Sequence, residues 1–187
     1  DDFGVMAMPG REIEAQGYVD EAIAYASAIK CRNINCIPGK TGGTTEAETV
    51  YRKNLALACE KAAAHGIGIV IEPINQRDAP GYHFSLVEQG LETLCAVGTD
   101  NLKLMFDCYH IQIMQGDLAQ RLKSALPFLG HVQFAAVPDR GEPDSGEVDY
   151  PWLLTELDDM GWQGFVGAEY LPRGSTDEGL GWMNAYR

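Results

Sequence analysis

Long apolar runs, an excess of basic charge and paired cysteines are all missing from this chain, and each absence removes a class of function. No uninterrupted apolar stretch reaches the roughly 18 residues that span a bilayer. The first residues show no basic region leading into an apolar core, so no secretory signal is read here. Lys and Arg number 14 against 27 Asp and Glu, a formal net charge of −13. So acidic a surface repels phosphate backbones and anionic membranes, and neither nucleic acid nor membrane is expected as a partner. The five cysteines, Cys31, Cys36, Cys59, Cys95 and Cys108, are odd in number and form no CxxC pair. That argues against a zinc ribbon or a disulfide framework and for a reducing, cytoplasmic location. No GxSxG nucleophile motif is present. Gly39-Lys40-Thr41 is not the end of a phosphate loop, because Ile34 stands where the motif needs its earlier glycine.

What the chain does have is a recurrence. Ile67-Gly68-Ile69-Val70-Ile71 precedes Glu72, Leu102-Lys103-Leu104-Met105-Phe106 precedes Asp107, His131-Val132 precedes Gln133, and Phe165-Val166-Gly167-Ala168 precedes Glu169. The intervals between these polar residues are 35, 26 and 36 positions, about one strand plus one helix each. Buried strands that end in carboxylates at a strand–helix period point to a site at the C-terminal mouth of a parallel barrel.

The stretches between the runs agree. Helices are expected over 13–29, 46–65, 86–97, 118–128 and 151–160, the last with Pro151 in its first turn. A short strand over 33–37 precedes the other four. Five strands alternating with about five helices predict right-handed βαβ crossovers and a parallel sheet, with no linker or change of composition. The long loops, near 73–84 and 137–149, follow strands, where a barrel carries its working residues.

Glu72 and Glu169 can serve as a two-carboxylate pair, one removing a proton from a carbon and the other returning it to the neighbouring carbon. Asp107 and Gln133 could complete an oxygen shell for Mg2+ or Mn2+, because clustered carboxylates repel one another unless a cation neutralises them. The competing reading is of separate solvated residues at strand ends. His110 could hydrogen-bond a substrate oxygen or be structural at the start of a loop. Arg140 could bind a substrate carboxylate in bidentate fashion, which would let an acidic protein hold an anion, or it could be a surface residue paired with Glu142.

The motifs resemble those of the hydroxypyruvate isomerase family. The matching segments are Met8-Pro9-Gly10-Arg11-Glu12, Ile71-Glu72-Pro73-Ile74-Asn75 with Arg77-Asp78 and Pro80-Gly81-Tyr82, and Phe106-Asp107-Cys108-Tyr109-His110 with Gly116-Asp117-Leu118. After these come His131-Val132-Gln133, Arg140 to Pro143 with Gly146-Glu147 and Tyr150-Pro151, Gly167-Ala168-Glu169-Tyr170 and Gly179-Leu180-Gly181-Trp182. They keep their order along nearly the whole chain. The resemblance implies a xylose-isomerase-like (β/α)8 TIM barrel, incomplete here, with residues 1–187 as a single domain forming the C-terminal two-thirds of a longer chain. It implies interconversion of hydroxypyruvate and 2-hydroxy-3-oxopropanoate through an enediol, with Glu72 and Glu169 as the proton-transfer pair. By similarity to ketose epimerases it implies Glu72, Asp107, Gln133 and Glu169 as ligands of a divalent metal, although those enzymes usually carry His where Gln133 stands. His110 and Arg140 match substrate-contact positions. The expected partner is a small hydroxy or oxo acid, and a homo-oligomer is compatible with the sequence. The alternatives are a 2-oxo-tetronate isomerase, a ketose 3-epimerase, a metal-dependent abasic-site nuclease, and an inactive remnant that binds a sugar acid or a partner chain.

Overall fold

A computed structural model describes residues 3–186. Strands and helices alternate: α1 (Glu12–Ile29), β1 (Asn33–Asn35), α2 (Thr45–Ala63), β2 (Gly68–Ile71), α3 (Val87–Val97), β3 (Leu102–Asp107), α4 (Cys108–Met114), α5 (Leu118–Ala125), β4 (Leu129–Phe134), α6 (Tyr150–Asp159), β5 (Val166–Ala168) and α7 (Thr176–Gly179). The five strands form one parallel sheet in the order of the chain. This is the curved wall of a parallel (β/α) barrel, five strands where a closed barrel has eight.

The strands are buried because helices cover their outer face. Ile69, Ile71, Leu104, Phe106, Val132 and Phe134 alternate along β2, β3 and β4 and are almost wholly inaccessible. The covering helices supply matching stripes. In α2 the buried residues Ala47, Tyr51, Leu55, Ala58 and Ala62 recur at intervals of three and four. Thr44 caps this helix, its hydroxyl accepting from the Ala47 N–H, and Gly66 turns the chain out of it at a φ of 67°. In α6, Pro151 sits where no helical N–H is required and the Asp149 side chain accepts from the Trp152 N–H.

Intervening residues face the other way. Asn33, Asn35, Val70, Met105, His131 and Gln133 line an open trough of about 630 Å3 on the inner surface of the sheet. Strand β4 reaches this arrangement through a bulge, its register against β3 jumping from Leu104↔Leu129 to Met105↔His131. The extra residue is Gly130. A β-carbon there would lie 2.7 Å from Lys103 Cβ and 2.8 Å from Val70 Cγ1, so only glycine fits. The bulge allows Leu129 and Val132, three positions apart, both to join the outer core, while Gln133 comes level with Asp107.

Three local expectations need correction. The helix foreseen over 118–128 ends at Ala125 and continues as a 3-10 turn over Leu126–Phe128, because Pro127 has no N–H to extend it. The strand foreseen to residue 37 stops at Asn35, although the Cys36 N–H still reaches Val70 O at 2.9 Å. His110 lies in a helix, not at the start of a loop. Among the described residues no helix is long and apolar enough to cross a membrane.

Candidate active site

Each of the strands β2 to β5 delivers one polar residue to the same end of the sheet. Glu72 follows β2, Asp107 ends β3, Gln133 lies near the end of β4 and Glu169 follows β5. The Glu169 N–H still bonds to Phe134 O at 3.1 Å, which anchors its backbone to the sheet. Asp107 also caps α4, its Oδ1 accepting from the Tyr109 N–H at 2.9 Å. That cap turns the chain straight from strand into helix and puts His110 back over the strand ends. His110 Nε2 stands 3.6 Å from Asp107 Oδ2 and 3.8 Å from Glu72 Oε1. Ligand-type atoms of Glu72, Asp107 and His110 all lie within 4.8 Å of one another.

Arg140 comes in from the loop after β4. Its Nη2 is 3.1 Å from Glu169 Oε2 and 3.9 Å from Asp107 Oδ2. Glu142, its neighbour in sequence, is engaged elsewhere and accepts from the Arg173 N–H at 3.0 Å. Glu169 is about half exposed, while Asp107 is fully buried.

The electrostatics follow from burial. Desolvation, and then the charges of Asp107 and Glu169, push Glu72 up to about 8, against a hydrogen bond from Asn35 and the nearby Arg140. Burial pushes Asp107 up to about 7, opposed by the Tyr109 N–H and Arg140. Burial, with the Arg140 charge adding to it, holds His110 down to about 3 and therefore neutral.

The hydrogen-bond network fixes which nitrogen of His110 carries its proton. Asn75 Oδ1 accepts from the Asp78 N–H at 2.8 Å, so the Asn75 amide nitrogen faces the other way. That nitrogen stands 2.7 Å from His110 Nδ1, and the Asn75 backbone N–H approaches the same atom at 3.4 Å. Two donors directed at Nδ1 make it the acceptor, and Nε2–H then points at the carboxylates. In this tautomer His110 donates a hydrogen bond and has no lone pair on Nε2 to offer a metal.

Oxygen atoms are available for a cation. Asp107 Oδ2, Gln133 Oε1 and Asn35 Oδ1 are buried with no hydrogen-bond partner among the described residues. Buried acceptors without donors, beside a carboxylate whose ionisation is strongly resisted, form a hard oxygen set that suits a divalent cation. The residues therefore fit a metal.

Metal binding and pH are linked through the same two carboxyls. Both titrate above their ordinary values, so the folded state keeps protons that the unfolded chain releases from about pH 4 upward. Their contribution to stability is complete below that point and is lost as pH rises through about 7 to 8. Added Mn2+ or Mg2+ is expected to raise Tm, and to raise it more at pH 8 than at pH 6, because binding requires both groups ionised. Equal shifts at the two pH values by differential scanning calorimetry would show that the cation does not bind these carboxylates.

Sequence reasoning had passed over Asn35, whose Nδ2 donates to Glu72 Oε2 at 2.8 Å, and the orienting role of Asn75. The one sequence signal for Asn35 is Asn33-Ile34-Asn35, a strand whose alternate positions are both amides. Thr41, from the rejected phosphate-loop motif, bonds instead to His83, which in turn bonds to Glu48 at 2.7 Å and ties the loop before α2 to the loop after β2.

The profile of the xylose isomerase-like TIM barrel family matches residues 2–186, and the chain belongs to that family. Within it the chain stands with enzymes of the isomerase class. It is 42% identical over 186 residues to a 2-oxo-tetronate isomerase of Cupriavidus necator and 38% identical over 187 residues to a hydroxypyruvate isomerase of Escherichia coli, each alignment covering 98% of this chain and 72% of the relative. A crystal structure from Brucella melitensis described as an AP endonuclease, family 2, superposes with a TM-score of 0.95 at 40% identity, covering 98% of this chain and 72% of that one.

Proposed function

We propose that this protein interconverts hydroxypyruvate and 2-hydroxy-3-oxopropanoate by moving a proton between neighbouring carbons through an enediol, with Glu72 and Glu169 exchanging that proton. The observation that carries this reading is the pairing of a buried Glu72, pushed up to about 8, with a half-exposed Glu169 held at the same end of the sheet by Arg140. A carboxyl that titrates near neutrality can both take and return a proton at the pH of the cell.

The other residues have distinct parts. A substrate carboxylate bound by the Arg140 guanidinium replaces Glu169 as its partner and so releases the Glu169 carboxylate toward the substrate carbon. The His110 Nε2–H donates to the substrate oxygen on which charge develops, and Asn75 keeps that proton on Nε2. Glu72, Asp107, Gln133 and Glu169 would hold a divalent cation, Mg2+ or Mn2+, which when bound supplies positive charge against the enediolate. The five βα units described here would act as the part of an eight-unit barrel that carries the chemistry, with three further units as the facing wall. The substrate is a free small molecule in the cytoplasm.

A second substrate has support of its own, since the 42% identical relative is named a 2-oxo-tetronate isomerase. A four-carbon 2-oxo acid presents the same carboxylate and the same pair of carbons. DNA has little support, because the net charge of −13 opposes a phosphate backbone. The deciding assay follows hydroxypyruvate and the 2-oxo-tetronates by NMR, with and without EDTA. Conversion of at least one acid, abolished by EDTA and restored by Mn2+ or Mg2+, is the expected result. No proton shift in any of them would sink the proposal.

A further inference from the structure

Arg140 occupies an unusual backbone position. Its φ is 57°, in the left-handed region that a long side chain adopts only when its surroundings impose it. The Arg140 N–H bonds to Ala136 O at 2.8 Å, and Arg140 O accepts from the Leu171 N–H at 2.7 Å. These bonds fix the backbone but leave the side chain to be placed by something else.

Glu169 pairs with one nitrogen of the guanidinium, and Tyr109 supports the group through its ring. The Arg140 guanidinium carbon lies 5.0 Å from the centre of the Tyr109 ring. The ring is itself nearly inaccessible, 3% exposed, and meets the His110 imidazole edge-on at 5.1 Å. Its hydroxyl is fully engaged away from the strand ends, donating to Asp78 Oδ2 at 2.7 Å and accepting from Arg77 Nη2 at 3.0 Å. The same Arg77 nitrogen reaches Pro138 O at 2.9 Å, in the loop that carries Arg140. The loop after β2, the start of α4 and the loop after β4 are thus joined around one aromatic ring.

We propose that Tyr109 is a positioning residue for Arg140. Its ring is the platform that holds the guanidinium ready for a substrate carboxylate, and Arg77 and Asp78 lock the ring through its hydroxyl. Tyr109 makes no proton transfer, because both hydrogen-bonding directions of its hydroxyl are occupied. This inference rests on the proposed role of Arg140 as carboxylate binder.

The test compares Tyr109→Leu, Tyr109→Phe and Arg77→Gln in the whole protein. Steady-state kinetics with hydroxypyruvate are read beside calorimetric binding of glycerate, which has a carboxylate, and of glycerol, which does not. Tyr109→Leu is expected to raise KM and the glycerate Kd about five- to tenfold, with kcat and glycerol binding changed by less than about twofold. Tyr109→Phe should recover most of the loss. Arg77→Gln, at a residue about half exposed and outside the apolar core, should raise the same two constants about two- to threefold. Equal weakening of glycerate and glycerol, or a Phe variant no better than Leu, would overturn the platform. A wild type that isomerises no 2-oxo acid but whose glycerate binding still depends on Tyr109 would refute the proposed reaction and leave the platform standing. Normal isomerisation with an unchanged glycerate Kd in Tyr109→Leu and Arg77→Gln would do the reverse.

Discussion

Glu72→Gln and Glu169→Gln are each expected to reduce the turnover of hydroxypyruvate by about a thousandfold or more while the protein stays folded. Glutamine matches glutamate in shape and can still accept a hydrogen bond, but it cannot carry the migrating proton. At residue 72 the substitution is structurally mild. The carboxyl is buried and already resists ionisation, so a neutral amide relieves the repulsion with Asp107 and can still accept from Asn35 Nδ2. At residue 169 the side chain is about half exposed, and the loss is that of a charge facing Arg140. Turnover measured in D2O, together with a thermal melt, separates chemistry from folding. Loss of deuterium uptake at the substrate carbons with little change in Tm is the expected pair of results. Near-normal turnover in either variant would end the two-carboxylate mechanism.

The second large effect is on binding. Arg140→Met should raise KM for hydroxypyruvate about a hundredfold, since the loss of one partner from a charged hydrogen-bonded pair is worth roughly 2–5 kcal/mol. Arg140→Lys keeps the charge but loses the planar fork, and should lie between Met and wild type. Removing the guanidinium also takes away a charge that restrains Glu72 and Asp107, so both carboxyls should titrate still higher. The acid limb of the pH–rate profile should therefore move to higher pH in Arg140→Met. An unchanged KM and an unmoved profile would mean that Arg140 serves only to hold Glu169.

The barrel wall could be read from the sequence because its signal is repeated. Four apolar runs, each closed by Glu, Asp or Gln, are hard to produce by chance, and the helices over their outer face demand those runs. The tertiary partners were not visible in the same way. Arg140 pairs with Glu169, 29 positions away, and not with nearby Glu142, because the loop after β4 folds back over β5. The helix after Asp107 was hidden since Cys108-Tyr109-His110-Ile111 shows no polar–apolar period and is buried throughout. Its one sequence signal was Asp107 itself, read as a strand end although it also serves as a helix cap. Asn35 and Asn75 went unread because uncharged amides acquire meaning only from what they face.

The bulge at Gly130 gives β4 a property that its neighbours lack. Strands β2 and β3 keep one phase throughout, so a single alternation assigns every side chain to helix or trough. Strand β4 changes phase midway: Leu129 is counted from one beat and Gln133 from the other. Were Gly130 instead paired in strict alternation, Leu129 and Gln133, four positions apart, would share a face, and the strand could then seat Leu129 among the helices or Gln133 beside Asp107, but not both. One residue without a side chain thus reconciles two incompatible periodicities, one set by the core and the other by the chemistry at the strand ends.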